Sequence, residues 1–424
     1  MDRIYTLPEG WSYKELKEIA DVITGVSFKP DDIIKEGIRI LRSGNIQNGY
    51  VLTKKDDVFL KDTYYNKQKT IQYLDNCITS STGSIDVLGK CGTIFDVFEK
   101  TQIGAFLRLV RSRDVDNALY ISLILHSPLY FQYIRQFAKN GTSINNIKSE
   151  HLEDFRFPLP PKDIKERISR FYLSLEKKIL LNTHINAELE AMAKQLYDYW
   201  FVQFDFPNEN GKPYKSSGGK MVYNEKLKRE IPEGWGVSTY GSEFDVKLGG
   251  TPSTSEKSFW INGTINWLNS GEVQNFPINK SEKKITEEAI RGSSTEFLPK
   301  GSVLISITRY LRVTLLNIDA CINQSVAGFA ETEIYKYPYT YFALSAEVPR
   351  LMKLRTGAQQ PHINKEIIEE SAFLIPPKDL LSEYYRKSIP IFKTLINLSE
   401  ETEELTHLRD SLLPMLMNGQ VTVE

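Results

Sequence analysis

The chain has 424 residues, of which 41% are hydrophobic and 25% are charged, a composition typical of a globular protein with two or three domains. Its 53 basic and 54 acidic residues give a net charge of −1. A protein that neutralises many DNA phosphates by itself is usually strongly basic, so nucleic-acid binding by this chain would have to rely on local patches or on partners that share the phosphate contacts.

The sequence indicates neither membrane insertion nor a disulfide framework. The longest apolar run, about Leu119–Leu125, is far shorter than a membrane span. The first residues lack the apolar core of a signal peptide. The three cysteines, Cys77, Cys91 and Cys321, are odd in number and lack the spacing of metal ligands. These features predict a reduced, cytoplasmic protein without a bound metal and without contact to a membrane.

The chain contains an internal repeat. Four segments of the first half return in the same order in the second half, at offsets of 224 (232 − 8), 227 (268 − 41) and 216 (377 − 161) residues. The matched pairs are Leu7–Trp11 with Ile231–Trp235, Thr24–Val26 with Leu248–Gly250, Ile40–Ile46 with Trp267–Val273, and Leu159–Asp163 with Ile375–Asp379. Because the order is kept and the offset drifts little, we predict two copies of one structural unit.

Each copy begins with strands and turns. Short segments rich in β-branched and aromatic residues are broken by glycine, asparagine and aspartate, which is typical of a strand-and-turn region. The predicted fold class is α+β, with two repeated mixed α/β domains. The predicted elements are strands near Val51–Leu60, Asn76–Ser80 and Gly92–Phe98 and a helix near Ala118–Phe137 in the first copy, and strands near Ser302–Ile307 and Thr314–Ile318 in the second.

Each copy ends in a long helical pattern whose apolar residues alternate at steps of four and three, the spacing of a coiled-coil seam. We predict that the two helices pair in antiparallel orientation; the alternative is that each helix packs on its own domain. Lys178 and Asn182 are polar residues at seam positions, and Pro390 is expected to kink or interrupt the second helix. The predicted interface residues are Phe171, Leu175, Leu189, Met192 and Leu196 in the first helix, and Leu398, Leu405, Leu408 and Leu412 in the second.

These patterns divide the chain into five parts. The two repeated domains are predicted over residues 1–158 and 231–374. The long helices are predicted over 159–204 and 375–424. The polar stretch Asn208–Ser217, which contains and precedes several glycines, predicts a linker over 205–230.

The sequence lacks a recognisable catalytic motif. In Gly83–Cys91, five residues separate the first glycine from the Gly-Lys pair, and no Ser or Thr follows the lysine. A phosphate-binding loop has four residues between the two glycines and a Ser or Thr after the lysine. The two Pro-Pro segments lack the acidic or amide residue and the aromatic that flank the double proline of an adenine-methyltransferase loop. The five histidines have no ligand spacing. We therefore expect that this chain catalyses no reaction and binds no cofactor.

In this order, and twice over, the motifs resemble those of the specificity subunits of type I restriction–modification systems. The resemblance extends over essentially the whole chain and includes the doubled Pro-Glu-Gly-Trp entries and the Pro-Pro-Lys-Asp helix starts. The first copy departs from the family pattern at Gly141–Ile147, where the Gln-Pro-His-Ile-Asn-Lys form is absent. Further matching segments are Leu196–Phe201 with Phe204–Pro207, Gly357–Lys365, and Leu408–Pro414 with Gly419.

The resemblance implies a non-catalytic subunit with two target-recognition domains, each reading one half of a split sequence in double-stranded DNA. It also implies that the paired helices set the gap between the halves and dock two methyltransferase subunits, which restriction and translocation subunits join for cleavage. S-adenosylmethionine, ATP and Mg²⁺ are then expected on those partner subunits.

Residues of the types that pair with base edges or phosphates occur at matched places in the two copies. Turn formation is the alternative role for the asparagines, a solvated surface pair for the arginines, and helix capping for the segment around residue 362. The candidate DNA-binding residues are Ser43, Asn45, Ser80, Ser81, Thr82, Thr142, Asn145, Asn146 and Lys148 in the first copy, and Asn269, Ser270, Ser306, Thr308, Arg309, Arg312, Gln359, Gln360, His362, Asn364 and Lys365 in the second.

Two other classes of function are open at this point. One is a methyltransferase whose cofactor site is too divergent to recognise. The other is a non-catalytic protein-interaction scaffold with duplicated domains. Binding of S-adenosylmethionine by the purified chain distinguishes the first from a DNA-recognition module, and sequence-specific DNA binding by the assembled complex distinguishes the second.

Overall fold

A computed structural model describes residues 7–138, 145–357 and 361–423. The chain divides into two units: the first consists of Met1–Ile179 with Glu404–Glu424, and the second of Leu180–Glu403. Each unit contains one repeat and one segment of each long helix.

The repeat of the first unit is built from short strands and short helices. Its helices are α1 (Leu16–Ile19), α2 (Val115–Leu125), α3 (Pro128–Arg135) and α4 (Ser149–Glu153). Its strands are β1 (Ser12–Glu15), β2 (Ala20–Thr24), β3 (Ile33–Ile34), β4 (Ile38–Leu41), β5 (Ile46–Gln47), β6 (Tyr50–Val51), β7 (Val58–Leu60), β8 (Asn76–Thr79), β9 (Ser81–Thr82), β10 (Cys91–Thr93), β11 (Thr101–Ile103), β12 (Leu107–Ser112), β13 (Asn145–Asn146) and β14 (Arg156–Leu159).

Two sheets form the body of this repeat. One has the strand order β2-β12-β8-β10-β6-β5, and the other has the order β11-β4-β7-β3. Leu41, Cys77, Ile103 and Leu109 are fully buried in one hydrophobic cluster of this body. α2 is apolar on nearly all sides, and its last six residues are buried, so it lies inside the unit rather than on its surface.

The repeat of the second unit has a similar construction. Its helices are α6 (Tyr240–Glu243), α7 (Glu287–Arg291), α8 (Tyr337–Lys353) and α9 (Lys365–Glu369). Its strands are β15 (Met221–Asn224), β16 (Arg229–Pro232), β17 (Gly236–Thr239), β18 (Lys247–Leu248), β19 (Ile265–Leu268), β20 (Lys283–Ile285), β21 (Glu296–Leu298), β22 (Val303–Ser306), β23 (Val313–Leu315), β24 (Ala320–Ile322), β25 (Val326–Phe329) and β26 (Ala372–Ile375).

Strand pairing confirms that the two halves are repeats. In the first unit β1 pairs antiparallel with β14, and Ser12 lies opposite Leu159; in the second β17 pairs antiparallel with β26, and Gly236 lies opposite Ile375. The parallel pair β4–β11 has its counterpart in the parallel pair β19–β24. The predicted α+β fold with two repeated domains is therefore confirmed.

Several predicted elements are shorter than the sequence pattern suggests. The strand predicted over Val51–Leu60 is two strands, β6 and β7, because a polar loop separates them. The helix predicted over Ala118–Phe137 is α2 and α3. The break falls at Ser127, whose hydroxyl accepts a hydrogen bond from the Tyr130 N–H, with Pro128 at the first helical position.

The long helices are α5 (Lys162–Tyr197) and α10 (Lys378–Met417). Within the second unit the Asn182 amide donates to Glu401 at 2.8 Å, and the rings of Trp200 and Tyr384 lie 5.9 Å apart. Residues further along the chain from Asn182 to Trp200 thus contact residues of α10 with lower numbers, from Glu401 to Tyr384. The two helices are therefore antiparallel, as predicted. The predicted interruption at Pro390 is wrong, because α10 is continuous through that residue.

Burial along the helices differs in part from the predicted seam. Asn182 is fully buried, and Leu175 is buried, whereas Met192 and Leu408 are 55% and 42% exposed and lie outside the buried face. The apolar residues of α5 and α10 also pack on the repeats, which moves the buried face away from the ideal heptad positions. The other predicted interface residues are partly buried: Phe171, Leu189, Leu196, Leu398, Leu405 and Leu412.

The stretch predicted as a linker contains ordered structure. β15 and β16 form a two-stranded antiparallel sheet. The Phe206 ring stacks on Tyr214 and Trp235, with centroid distances of 4.7 and 5.2 Å, and the Asp205 carboxylate accepts hydrogen bonds from Ser216. Across the described residues, no helix combines the length and apolar character needed to cross a membrane.

Candidate nucleic-acid interface

In the first unit, two distant segments of the sequence form one polar cluster. β9 pairs antiparallel with β13, so that Asn146 lies opposite Ser81 and Asn145 lies opposite Thr82. The pairing continues where the Ile147 N–H donates to the Ser80 carbonyl at 2.7 Å. We call Ser80–Thr82 and Asn145–Lys148 the first polar cluster.

In the second unit, the corresponding segments meet in the same way. The end of β22 runs into a turn in which Thr308 bridges antiparallel to His362, and the Ile363 N–H donates to the Ile307 carbonyl at 3.1 Å. The Arg309 N–H donates to the Pro361 carbonyl at 2.8 Å. We call Ile307–Arg312 and Pro361–Lys365 the second polar cluster.

The backbone bonds give the residue equivalence between the two clusters. Equivalent hydrogen bonds occur in the two units. The acceptors are Ser80 and Ile307, at an offset of 227 (307 − 80), and the donors are Ile147 and Ile363, at an offset of 216 (363 − 147). Ser81 therefore corresponds to Thr308 and Thr82 to Arg309. At the same offset, Ser306 corresponds to Thr79 and not to Ser80. In the closing segments, Asn146 corresponds to His362 and Lys148 to Asn364.

Several candidate residues are buried and serve the fold. Asn45 is 2% exposed: it accepts from the Arg42 N–H at 2.8 Å and donates to the Leu52 carbonyl at 3.0 Å. Ser80 is fully buried and donates to the Phe106 carbonyl at 3.0 Å. These side chains stabilise loops in this conformation instead of facing a ligand, because their hydrogen-bonding groups are used inside the unit.

Two further candidate residues, in the second unit, stabilise turns. Ser306 donates to the Tyr310 carbonyl at 2.8 Å and accepts from the Arg312 N–H at 3.0 Å, which closes the turn after β22. The Asn269 N–H donates to the Glu272 carboxylate at 2.9 Å. Glu272 corresponds to Asn45 of the first unit, which accepts in the same way from the N–H three residues before it. Both repeats therefore have a buried side-chain acceptor at this place in the loop.

The remaining candidates differ in exposure. Asn145 is buried, and Asn364 caps α9 by accepting from the Ile367 N–H at 3.1 Å. Thr142, Gln359 and Gln360 lie outside the described residues. Exposed side chains are those of Asn146, Lys148, Arg309, Arg312 and His362, and partly exposed ones are those of Ser43, Ser81, Thr82, Ser270, Thr308 and Lys365.

Sequence reasoning missed four residues at the clusters. Phe106 and Tyr310 are large apolar side chains that are 67% and 68% exposed. The Arg108 guanidinium donates to the Ser80 hydroxyl at 3.1 Å, and burial lowers the pKa of Arg108. The Arg355 guanidinium donates to the Arg309 carbonyl. None of the four belongs to a motif or to a matched segment, so only their position in space marks them.

Beside the first polar cluster lies a cleft of about 340 Å³. Ser43 and Ser81, which come from different segments, both line it, together with Phe28 and Phe106. Its wall is mainly apolar, so the partly exposed hydroxyls sit beside exposed aromatic surface. Hydrogen-bonding groups next to apolar contacts match the edges of base pairs, where thymine adds a methyl group.

The second polar cluster is the more cationic. Arg309 and Arg312 are exposed and Arg355 is partly exposed. Over the described part of the chain, no carboxylate pairs with these three arginines; their contacts are backbone carbonyls and the Gln274 side chain. Guanidinium groups without a carboxylate partner are available to phosphates and to base edges.

The described residues offer no metal site of the usual kind. Within residues 7–138, 145–357 and 361–423, no group of three or more His, Cys, Asp or Glu side chains is placed to hold a metal ion. The arrangement at the clusters is suited to binding a hydrogen-bonding, anionic partner.

Comparison with protein families identifies the repeats. The family model for the type I restriction modification DNA specificity domain matches residues 8–191 and again residues 232–406. The chain belongs to this family. Each match begins at a Pro-Glu-Gly-Trp entry and includes a polar cluster and much of a long helix.

Similar proteins agree with this assignment, some of them over nearly the full length of the chain. The MjaIX specificity subunit of Methanocaldococcus jannaschii is 22% identical, over 99% of this chain and 95% of that protein. The EcoKI specificity subunit of Escherichia coli is 31% identical over 37% of this chain and 34% of that protein. The crystal structure of a type I restriction–modification S subunit from M. genitalium has the same fold, with a TM-score of 0.57, 14% identity and 98% coverage of both chains.

Proposed function

We propose that this chain is the DNA sequence-specificity subunit of a type I restriction–modification complex. Its two repeats are target-recognition domains, and each reads one half of a split target in double-stranded DNA. The observation that carries the proposal is that the family model matches twice, and each match contains the same backbone pairing with different polar side chains exposed. Backbone pairing builds the scaffold, while base edges are read by side chains.

The proposal assigns the chemistry to partner subunits. An internally repeated chain offers two equivalent surfaces, which suits two copies of a methyltransferase subunit, and restriction subunits join this core for cleavage. S-adenosylmethionine, ATP and Mg²⁺ bind to those partners.

The near-neutral net charge of −1 predicts how the chain behaves alone. Without a net positive charge, the isolated chain binds DNA weakly and in a salt-sensitive manner, and the methyltransferase subunits supply most of the phosphate contacts. Tight, sequence-specific binding by the isolated chain at physiological salt contradicts this part of the proposal.

The deciding experiment maps methylated adenines across a genome by single-molecule sequencing, with this chain co-expressed with its methyltransferase. The expected result is one split motif: two short defined blocks around a fixed undefined gap. Exchanging the first repeat for that of another specificity subunit should change one block and leave the other unchanged.

Two results contradict the proposal. Methylation that is absent or falls on an unsplit motif, together with a purified complex that does not bind DNA specifically, favours a protein-interaction scaffold instead. Photo-crosslinking of labelled S-adenosylmethionine to this chain, rather than to the methyltransferase subunit, contradicts the non-catalytic role.

A further inference from the structure

Arg309 has an unusual backbone conformation. Its φ of 58° lies in the left-handed region, which glycine and asparagine adopt readily and arginine adopts seldom. It lies in the turn between β22 and β23, directly after Thr308, where that segment pairs with the segment around His362. A non-glycine residue held in this region marks a place where the surrounding structure enforces a particular geometry.

Three neighbouring groups hold this geometry. The Arg309 N–H donates to the Pro361 carbonyl at 2.8 Å, and the Arg309 carbonyl accepts from the Arg355 guanidinium. Arg355 is itself held by donating to the Met352 carbonyl at 3.0 Å. The Ser306 hydroxyl closes the same turn by donating to the Tyr310 carbonyl. The backbone of Arg309 is therefore fixed on both sides.

The side chain of Arg309, in contrast, is exposed and has no ion-pair partner among the described residues. The fixed backbone sets the point from which this guanidinium projects. The planar guanidinium presents two parallel N–H groups, which match the O6 and N7 acceptors of guanine in the major groove. Its neighbour Arg312 is also exposed, and Gln274 accepts from it at 3.0 Å.

The equivalent position in the first unit is Thr82. Thr82 is partly exposed, and its hydroxyl accepts from the Ser84 N–H at 3.2 Å. A single hydroxyl pairs with either purine or pyrimidine edges and does not select guanine. The two repeats thus present different chemistry at one matched position.

We infer that Arg309 determines specificity in the second repeat by pairing with a guanine in the half-site that this repeat reads. The inference rests on the proposed function. It predicts that the block of the target read by the second repeat contains a guanine whose recognition depends on Arg309. It predicts no such dependence in the other block.

The test is the methylation map of the co-expressed complex carrying R309K or R309G. R309K keeps the charge but loses the two-pronged donor, and R309G removes the side chain while accepting a left-handed backbone without strain. R309G is expected to lose the preference for guanine at one position of the second block, roughly 10- to 100-fold, and R309K to lose less of it, because a lysine still donates to guanine. Both variants leave every other position unchanged.

R291A is the matched control. Arg291 is an exposed arginine of the same unit, on α7, and it pairs with Glu287 at 3.1 Å. It should leave the map unchanged. R309G accepts the left-handed backbone without strain, and unchanged thermal unfolding shows that the variant folds.

The possible results separate the inference from the proposed function. An unchanged motif in both variants, a relaxed position in the first block, or a uniform loss of methylation at all sites overturns the role of Arg309 in reading guanine. A uniform loss identifies a phosphate contact instead. A wild-type complex that yields no split motif overturns the proposed function itself.

Discussion

The two repeats have the same scaffold and different exposed side chains. In both units the segment after a central strand meets the closing segment through backbone hydrogen bonds. In the first polar cluster this pairing exposes Asn146 and Lys148, and in the second it exposes arginines. Since the pairing uses backbone groups, side chains at these positions can differ without loss of the scaffold.

The repeats also differ in how they are fixed to the long helices. In the first unit Glu176 of α5, with 1% of its side chain exposed, pairs with Arg409 of α10 at 3.1 Å and accepts from the Tyr50 hydroxyl of the repeat. In the second unit the Asn317 amide of the repeat donates to Glu400 of α10 at 2.7 Å. A buried ion pair therefore fixes the first repeat, and an amide–carboxylate hydrogen bond contributes to fixing the second.

The largest expected effect comes from breaking the ion pair of the first unit. R409A leaves Glu176 buried without its cation, which should lower the free energy of unfolding of the first unit by about 3–5 kcal/mol. Thiol reactivity in urea at pH 8 measures each unit separately: Cys77 and Cys91 are buried in the first unit and Cys321 in the second. Burial raises the pKa of Cys321 to about 11 and also raises the pKa values of the other two. Each thiol is thus protonated and protected until its unit opens.

In R409A, the two thiols of the first unit should react at lower urea than in the wild type, while Cys321 keeps its midpoint. R167A is the control within the first unit, because Arg167 is 41% exposed and its ion pair with Asp163 at 3.6 Å contributes little. Equal shifts in R409A and R167A would show that the buried pair does not stabilise the first unit.

A smaller, symmetric effect is expected at two matched glycines. A Cβ on Gly25 would collide with the Gly104 carbonyl, and a Cβ on Gly249 would collide with the Ile322 carbonyl, so each substitution forces backbone to move. G25A and G249A should each destabilise their own unit by about 1–3 kcal/mol, measured by the same thiol assay.

G83A is the control for this pair, since a Cβ on Gly83 meets no atom within 4 Å. It should change stability by less than about 0.5 kcal/mol. If G25A lowers stability and G249A does not, the two repeats are less alike in their packing than their strand pairing indicates.

The smallest effect is expected at Lys148 of the first polar cluster, which is exposed. A lysine offers a point charge, so its expected partner is a phosphate. K148A in the assembled complex should weaken binding to all DNA sequences alike, without altering the methylated motif. The slope of log K against the logarithm of the salt concentration should become about 1 less steep. Titration of labelled DNA at several salt concentrations measures this; K162A, at a lysine already paired with Asp116 at 3.0 Å, should not change the slope. A relaxed motif in K148A would instead make Lys148 a base contact.

The sequence by itself determined the repeat, the two long helices and the family. Matched motifs such as Leu7–Trp11 and Ile231–Trp235 are local, and heptad spacing shows directly in the order of residues, so no knowledge of tertiary contacts is needed to find them. The absence of recognisable catalytic motifs is likewise visible in the sequence, and it underlies the proposed assignment of the chemistry to partner subunits.

Only the tertiary structure decided which candidate residues lie together and which are buried. Ser81 meets Asn146, and Thr308 meets His362, through backbone hydrogen bonds across more than fifty residues of intervening chain. Backbone groups are the same in every residue type, so this pairing has no signature in the sequence. Burial of Asn45 and Ser80, and the fixed turn at Arg309, arise in the same way from groups that fold next to them.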